Sequence, residues 1–126
     1  MAVRGIGVDI CRAERIADAL SRFGERMEKR LFTPDELAYC RQHKDPLPHL
    51  AARFAAKEAA SKALGTGIAG GIAWTQIEVI QPGGRVPTLR FSGAAEERAK
   101  SLGIVRSHLS LSHDAGLAVA CVVLED

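Results

Sequence analysis

Most of the side chains that can do chemistry fall in one segment, RFAAKEAASKALGTGI, residues 53–68. On a helical wheel, at about 100° per residue, one arc carries Phe54, Glu58, Ser61, Lys62 and Gly65, with Arg53 and Lys57 at its flank. Glycine-rich backbone beside a lysine can approach a phosphate closely, although amides past a helix C-terminus gain nothing from the helix dipole. The simpler alternative is that Glu58 and Lys62 form a surface ion pair worth ~0.2–0.5 kcal/mol.

A phosphate site that does chemistry usually needs a metal ion, and two carboxylates are candidates for holding it. Mg²⁺ prefers oxygen ligands and is commonly bound by one or two carboxylates, substrate phosphates and water. Glu58 lies among the phosphate-binding candidates, and Asp9 has glycine neighbours on its own strand face. Asp9 has two other interpretations, a helix N-cap or a solvent-facing strand residue. Spacing alone cannot join Asp9 to Glu58.

The elements that position these residues follow an α+β pattern. Residues 5–10 alternate, with Ile6, Val8 and Ile10 on one face, so Asp9 is predicted to lie opposite the hydrophobic side. A helix is predicted from about Arg12 to Phe23, with Ile16, Leu20 and Phe23 on one face and Gly24 as its end. Thr33, Pro34 and Glu36 predict a capping box for a second helix that runs to about His43.

The longest helix is predicted over about 49–64, with a face of small residues that lets another element approach closely: Ala55, Ala56, Ala59, Ala60 and Ala63. Residues 74–80 and 87–91 predict a hairpin of two strands. A helix to about Leu102 follows, and the strands 107–112 and 117–124 complete the pattern.

Composition limits the class of protein. The chain has 126 residues and a net charge of +2, and 47% of its residues are hydrophobic, which predicts one soluble domain over residues 1–126. It has no apolar run of membrane-spanning length and no signal-peptide pattern at its start, so we expect a cytoplasmic protein without a membrane or nucleic-acid partner. Three widely spaced cysteines, Cys11, Cys40 and Cys121, predict small core residues rather than a disulfide or zinc framework.

Three blocks in this order carry a family resemblance: GIGVDI at 5–10, RFAAKEAASKALGTGI at 53–68 and LSLSHD at 109–114. They resemble the holo-[acyl-carrier-protein] synthases, the short, single-domain group of 4′-phosphopantetheinyl transferases. The resemblance implies that family's fold, a mainly antiparallel sheet packed against a long central helix and shorter helices. It implies Mg²⁺-dependent transfer of the 4′-phosphopantetheine arm of coenzyme A to a serine of apo-acyl carrier protein, for fatty acid synthesis, with release of adenosine 3′,5′-bisphosphate.

The resemblance also implies residue roles. Asp9 and Glu58 match the metal-binding acids, and Lys62 matches the lysine that contacts the coenzyme A diphosphate. Further coenzyme A contacts are expected at Arg53, Ser61, Gly65 and His113. The general base stays open between Asp114, Glu58 and a metal-bound water, and a hairpin turn is the simpler interpretation of His113-Asp114.

The partner surface is expected on the first helix, where Arg12, Arg15 and Arg22 fall within an arc of about 80° on the wheel. Such a basic edge suits an acidic carrier protein, and Arg15 also matches the family's arginine. The resemblance implies a homotrimer in which the His113 region meets the long helix across subunits. Two other function classes remain at this point, a Mg²⁺-dependent phosphodiester hydrolase and a basic-helix interaction module.

Overall fold

The computed structural model describes residues 1–126 as four helices and five strands. In chain order these elements are β1 (Val3–Arg12), α1 (Ala13–Leu31), α2 (Pro34–Arg41), α3 (Leu47–Ala63), β2 (Ile77–Ile80), β3 (Thr88–Phe91), α4 (Gly93–Ser101), β4 (Arg106–Asp114) and β5 (Leu117–Glu125). One antiparallel sheet has the order β1-β5-β4, and β2 and β3 form a separate antiparallel hairpin. The expected α+β class is confirmed. None of the four helices has both the length and the apolar character needed to cross a bilayer.

The core lies between α3 and the three-stranded sheet, and glycine makes their close approach possible. A Cβ added at Gly7 would lie 1.9 Å from the carbonyl oxygen of Ala59, and one at Gly5 would lie 2.0 Å from that of Ala63. The alanine face of α3 is buried throughout. The prediction that small residues on this helix admit a neighbouring element is therefore confirmed.

The two faces of β1 have the opposite burial from what their hydrophobicity suggests. Asp9 does lie opposite the apolar side, as predicted, but that side is the exposed one, with Ile6 68%, Val8 59% and Ile10 60% accessible. The glycine side packs on α3 because only there can the strand reach the helix backbone. We call the exposed apolar side the outer sheet face; β5 extends it with Leu117 and Val119.

The first helix is longer than predicted. Gly24 adopts φ 61° and ψ −145°, which breaks the helical geometry without ending the element, and α1 continues to Leu31. Arg12 belongs to the end of β1, so the wheel that placed it on the helix is wrong for that residue. Phe23 is also 59% exposed, although its spacing placed it on the packing face.

Most of the remaining predicted helices and strands are present in the structure, but some of them begin or end at other residues than predicted. Thr33 and Glu36 form the predicted capping box of α2, which ends at Arg41 rather than His43. Residues 74–76 form a short 3₁₀ turn rather than the start of a strand. Cys11 and Cys40 are buried as predicted, whereas Cys121 is exposed, because it lies on the outer sheet face opposite Val8.

Candidate active site

Asp9 and Lys62 meet where the glycine side of β1 crosses α3. The Lys62 ammonium donates to Asp9 Oδ1 at 3.0 Å and to the carbonyl oxygen of Val8 at 3.1 Å. The Lys62 side chain is 52% exposed, so it remains open to a ligand. Lys62 makes no ion pair with Glu58. The alternative of a simple surface pair within α3 is therefore wrong.

Glu58 is half-buried and accepts a hydrogen bond from a neutral donor, the indole Nε1–H of Trp74, at 3.1 Å from Oε1. No lysine, arginine or histidine forms an ion pair with this carboxylate. Sequence reasoning misses Trp74, because residues 74–80 are predicted to form a strand and nothing in the spacing connects Trp74 with Glu58. The charge of Glu58 is thus available for a cation.

Lys62 connects the two acids, because its ammonium donates to Asp9 and it lies one helical turn after Glu58 on α3. Burial raises the pKa of Cys11; Arg15 opposes that change, and the negative charges of Asp9 and Glu58 add to it. We call Asp9, Glu58 and Lys62 the acid–lysine cluster. The fold therefore joins the two carboxylates that spacing alone could not.

The donors of the acid–lysine cluster fit a hard cation. Asp9 Oδ2 and Glu58 Oε2 make no hydrogen bond within the chain. No group of three or more histidine, cysteine or acidic side chains is placed to hold a metal alone, whereas zinc sites use three or four protein ligands. Two carboxylates, each with one oxygen free of hydrogen bonds, match the preference of Mg²⁺ for one or two carboxylates completed by phosphate and water oxygens.

Arg53 and Lys57 do not flank an exposed polar arc, and this part of the helical-wheel interpretation is wrong. Arg53 is 2% exposed, lies 4.2 Å from the ring centre of Tyr39 and donates to Gln81 Oε1 at 2.9 Å. Lys57 is fully buried against Glu36. Both cations are covered by residues from other elements, which a wheel of α3 cannot show.

Ser61 and Gly65 serve the helix itself. The Ser61 hydroxyl is buried and donates to the carbonyl oxygen of Glu58 at 2.7 Å. Gly65 has φ +81°, and its amide donates to the carbonyl oxygen of Lys62 at 2.9 Å. The amide of Gly67 donates to Ser61 in the same way, which is a common helix C-terminal arrangement. These backbone donors are therefore already used within the turn, and direct contact of Ser61 or Gly65 with coenzyme A stays a prediction.

His113 and Arg53 line a cavity of about 320 Å³, together with Tyr39, His49 and Gln81. We call it the second cavity, to distinguish it from the acid–lysine cluster. The ring of His113 lies 5.6 Å from that of His49, in the first turn of α3. The expectation that His113 meets this helix only across subunits is therefore wrong for that first turn. Asp9 pairs with Ala120 and His113 with Ala118, so β5 separates this cavity from the acid–lysine cluster.

The remaining predicted residues lie at the edges of these sites. Asp114 is exposed at the end of β4 and makes no side-chain hydrogen bond. Arg15 and Arg22 are exposed on α1, and the Arg15 guanidinium lies 5.4 Å from the ring centre of Phe54, next to Glu58 and Trp74. Arg15 thus borders the acid–lysine cluster, and Arg22 lies two turns further along α1.

Comparison with known proteins decides the family. Residues 5–122 match the model of the 4′-phosphopantetheinyl transferase superfamily. A holo-[acyl-carrier-protein] synthase of Koribacter versatilis is 50% identical over 125 residues, which cover 98% of this chain and 99% of that protein. The chain belongs to the holo-[acyl-carrier-protein] synthases. As a member of this family it is an enzyme, a 4′-phosphopantetheinyl transferase.

Solved structures of this synthase family share the fold. The holo-[acyl-carrier-protein] synthase of Neisseria meningitidis superposes with a TM-score of 0.89 at 36% identity, covering 99% of this chain and 100% of that one. The synthase of Helicobacter pylori, solved in complex with coenzyme A, gives 0.84 at 33% identity and covers 95% of this chain and 99% of that one. The expected phosphopantetheinyl transferase fold is thereby confirmed.

Proposed function

We propose that this enzyme transfers the 4′-phosphopantetheine arm of coenzyme A to a serine hydroxyl of apo-acyl carrier protein and releases adenosine 3′,5′-bisphosphate. The observation that carries the proposal is the acid–lysine cluster, which joins Asp9, Glu58 and an exposed Lys62 at one crossing of strand and helix. The names of the relatives and the coenzyme A complex of the Helicobacter pylori synthase support the same substrates.

The reaction exchanges one phosphorus–oxygen bond for another. The serine oxygen attacks the phosphorus next to pantetheine, the bond to the bridging oxygen breaks, and the adenosine bisphosphate leaves with the bridging oxygen. Asp9 and Glu58 would hold Mg²⁺, which when bound neutralises negative charge on the leaving phosphate. Lys62 is a flexible point charge that can leave Asp9 for the diphosphate and follow its charge into the transition state.

The second cavity is suited to another phosphate of coenzyme A. Arg53 is almost fully buried and places its guanidinium there, and its Nε–H has no partner in the chain. A buried donor without an acceptor is costly, so an anionic oxygen from the substrate would stabilise it. His113 lines the same cavity. We assign these two residues to coenzyme A binding.

The serine proton needs an acceptor. Among the residues of the chain, Asp114 is the carboxylate that is exposed and unbonded near the second cavity, whereas Glu58 has been assigned to the metal. We assign the base role to Asp114. A positioned base typically contributes ~10²–10⁴-fold in rate. Within one chain β5 lies between Asp114 and the acid–lysine cluster, so this role needs a second subunit.

The outer sheet face supports an assembly of identical subunits, and the family resemblance implies that this assembly is a homotrimer. Its exposed apolar side chains run across two adjacent strands: Ile6, Val8 and Ile10 on β1, and Leu117 and Val119 on β5. Contiguous apolar surface of this kind usually marks a protein interface. A closed symmetric assembly would cover this face on every copy and can bring Asp114 of one copy towards the acid–lysine cluster of another. The single domain over residues 1–126 and the cytoplasmic location also stay predictions.

The carrier protein would dock on the basic edge of α1, where exposed Arg15 borders the acid–lysine cluster. Exposed Arg22 lies two turns further along the same helix, and Arg12 ends the adjacent strand. Complementary charge mainly raises association rates and selects partners. Arg15→Glu should therefore raise the KM for carrier protein far more than the KM for coenzyme A. Steady-state kinetics with each substrate varied in turn measures both constants, and equal changes in the two would contradict docking at Arg15.

Mass spectrometry of the carrier protein tests the function directly. The enzyme is mixed with coenzyme A, Mg²⁺ and an apo-carrier protein, and the carrier should gain the mass of phosphopantetheine. A transferase of known activity on the same carrier is the control, and no gain beside a positive control would refute the proposal.

Asp9→Asn and Glu58→Gln should keep the fold, checked by circular dichroism, and lose most Mg²⁺-dependent turnover. Unchanged turnover in either variant would remove that residue from the metal role.

A further inference from the structure

Trp74 makes the only hydrogen bond within the chain to the carboxylate of Glu58. Its indole N–H donates to Oε1 at 3.1 Å, and the Glu58 carboxylate accepts no other hydrogen bond from the chain. We propose that Trp74 is a positioning residue that fixes Glu58 Oε1 and leaves Oε2 for the cation. This inference rests on the metal role assigned to Glu58 in the proposed function.

The indole is itself fixed on several sides. The backbone carbonyl oxygen of Trp74 accepts a hydrogen bond from the ammonium of the fully buried Lys57 at 3.1 Å. Its ring lies 6.3 Å from that of Phe54, with 26° between the ring planes, and the Arg30 guanidinium lies 5.5 Å from its centre. A donor that is already immobile loses little conformational entropy when it bonds Glu58. Trp74 is therefore preorganised as a support for this carboxylate.

The chemistry of the donor suits a carboxylate that binds a cation. An arginine or lysine at this position would orient Glu58 but would also neutralise it and compete with the metal. The indole N–H is neutral and donates without accepting, so it restricts the carboxylate and leaves its charge in place. Hydrogen-bond partners of metal ligands typically contribute ~10–100-fold to metal affinity or activity.

The chain offers a sharp experiment because Trp74 is its only tryptophan. Growth with β-(3-benzothienyl)alanine replaces the indole N–H by sulfur at this one position and keeps the ring size; Trp74→Phe is a second variant. Mn²⁺ binding in the presence of coenzyme A, followed by electron paramagnetic resonance, should weaken ~10–100-fold in both. The metal concentration for half-maximal transfer should rise by a similar factor, with the KM for carrier protein unchanged.

Two further measurements separate positioning from packing. Phe54→Leu removes the ring beside the indole but keeps the N–H, so its loss of Mn²⁺ affinity should be smaller than that of the benzothienyl protein. The single indole N–H resonance in a ¹⁵N-labelled protein should move on Glu58→Gln. A resonance that does not move, or an equal or larger loss of affinity in Phe54→Leu, would overturn the inference.

The outcomes also separate this inference from the proposed function. Wild-type enzyme that binds Mn²⁺ but modifies no carrier would refute the transfer reaction and leave the role of Trp74 standing if the affinities differ as expected. If the wild-type enzyme modifies the carrier and the benzothienyl protein binds Mn²⁺ with an affinity within twofold of the wild type, the inference alone is refuted. A wild type that binds no Mn²⁺ would overturn the inference together with the metal role of Glu58.

Discussion

Two lysines of α3, five residues apart in the sequence, pair with acids in opposite environments. Lys57 and Glu36 are completely buried, with 2.6 Å between Nζ and Oε1, and the same ammonium donates to the carbonyl oxygens of Ile77 and Trp74. Lys62 and Asp9 pair at 3.0 Å, but the lysine side chain is 52% exposed. The first pair ties α2 and the 74–79 segment to α3, whereas the second lies open to ligands.

Burial, rather than residue type, distinguishes the two pairs. A charge taken out of water needs its partner and further hydrogen bonds, and Glu36 has both, since it also accepts from the backbone amides of Thr33 and Val79. Burial lowers the pKa of Lys57, although Glu36 beside it opposes the change. An exposed pair is screened by water and contributes little to folding. The buried pair is thus structural, and the exposed pair is free to exchange its partner for a substrate phosphate.

The largest effect is expected when the buried pair is broken. Lys57→Met would leave Glu36 charged and two carbonyl oxygens without a donor, which should cost ~3–5 kcal/mol of unfolding free energy. Urea denaturation followed by circular dichroism measures this loss. Lys62→Met is the matched control and should cost less than ~1 kcal/mol. Similar losses in the two variants would contradict the distinction between the pairs.

The same Lys62→Met variant, which should lose little stability, should lose most of its catalytic rate. If Lys62 follows the diphosphate into the transition state, its loss should lower kcat ~10²–10³-fold, as for other preorganised donors to a developing anion. Carrier mass measured over time gives the rate. The matched comparison is Lys62→Arg, which keeps the positive charge and should recover part of the kcat that Lys62→Met loses. A Lys62→Met enzyme with wild-type kcat would place Lys62 outside the reaction.

Which parts of this arrangement follow from the sequence depends on how far apart the interacting residues are. The capping box of α2 joins two residues only three positions apart, so local sequence predicts it, and the alanine face of α3 follows from helical periodicity. The partner of Lys57 is 21 residues away in another helix, and a wheel gives a direction on α3 but not the element that covers it. The acid–lysine cluster was predicted through the family blocks, while Trp74, outside those blocks, was not.

A third cation of α3 extends the comparison, because Arg53 is buried without a carboxylate partner. Its guanidinium contacts Gln81 and the ring of Tyr39. One turn earlier, the rings of His49 and His43 stack with 3.5 Å between their centres. A proton added to His49 would meet more positive than negative charge, since His43, Arg53 and His113 outnumber Asp45 around it. Protonation is therefore disfavoured at His49, whereas Lys57 has the carboxylate of Glu36 beside it.

The pH dependence of the unfolding free energy tests the region around Arg53 and His49. This effect should be smaller than the stability loss in Lys57→Met and the loss of kcat in Lys62→Met. Burial lowers the pKa of His49, with His43, Arg53 and His113 adding to that change and Asp45 opposing it. As the pH falls below about 6.5, the ordinary value for histidine, the unfolded chain therefore binds this proton first. The unfolding free energy should fall with pH in that window and level off below the lowered pKa. Urea denaturation between pH 7.5 and pH 5 should show a shallower decrease for His49→Phe than for wild type. His108→Phe is the control, because His108 contacts Glu125 rather than other cations, and it should not make the decrease shallower. An unchanged slope in His49→Phe would contradict the lowered pKa of His49.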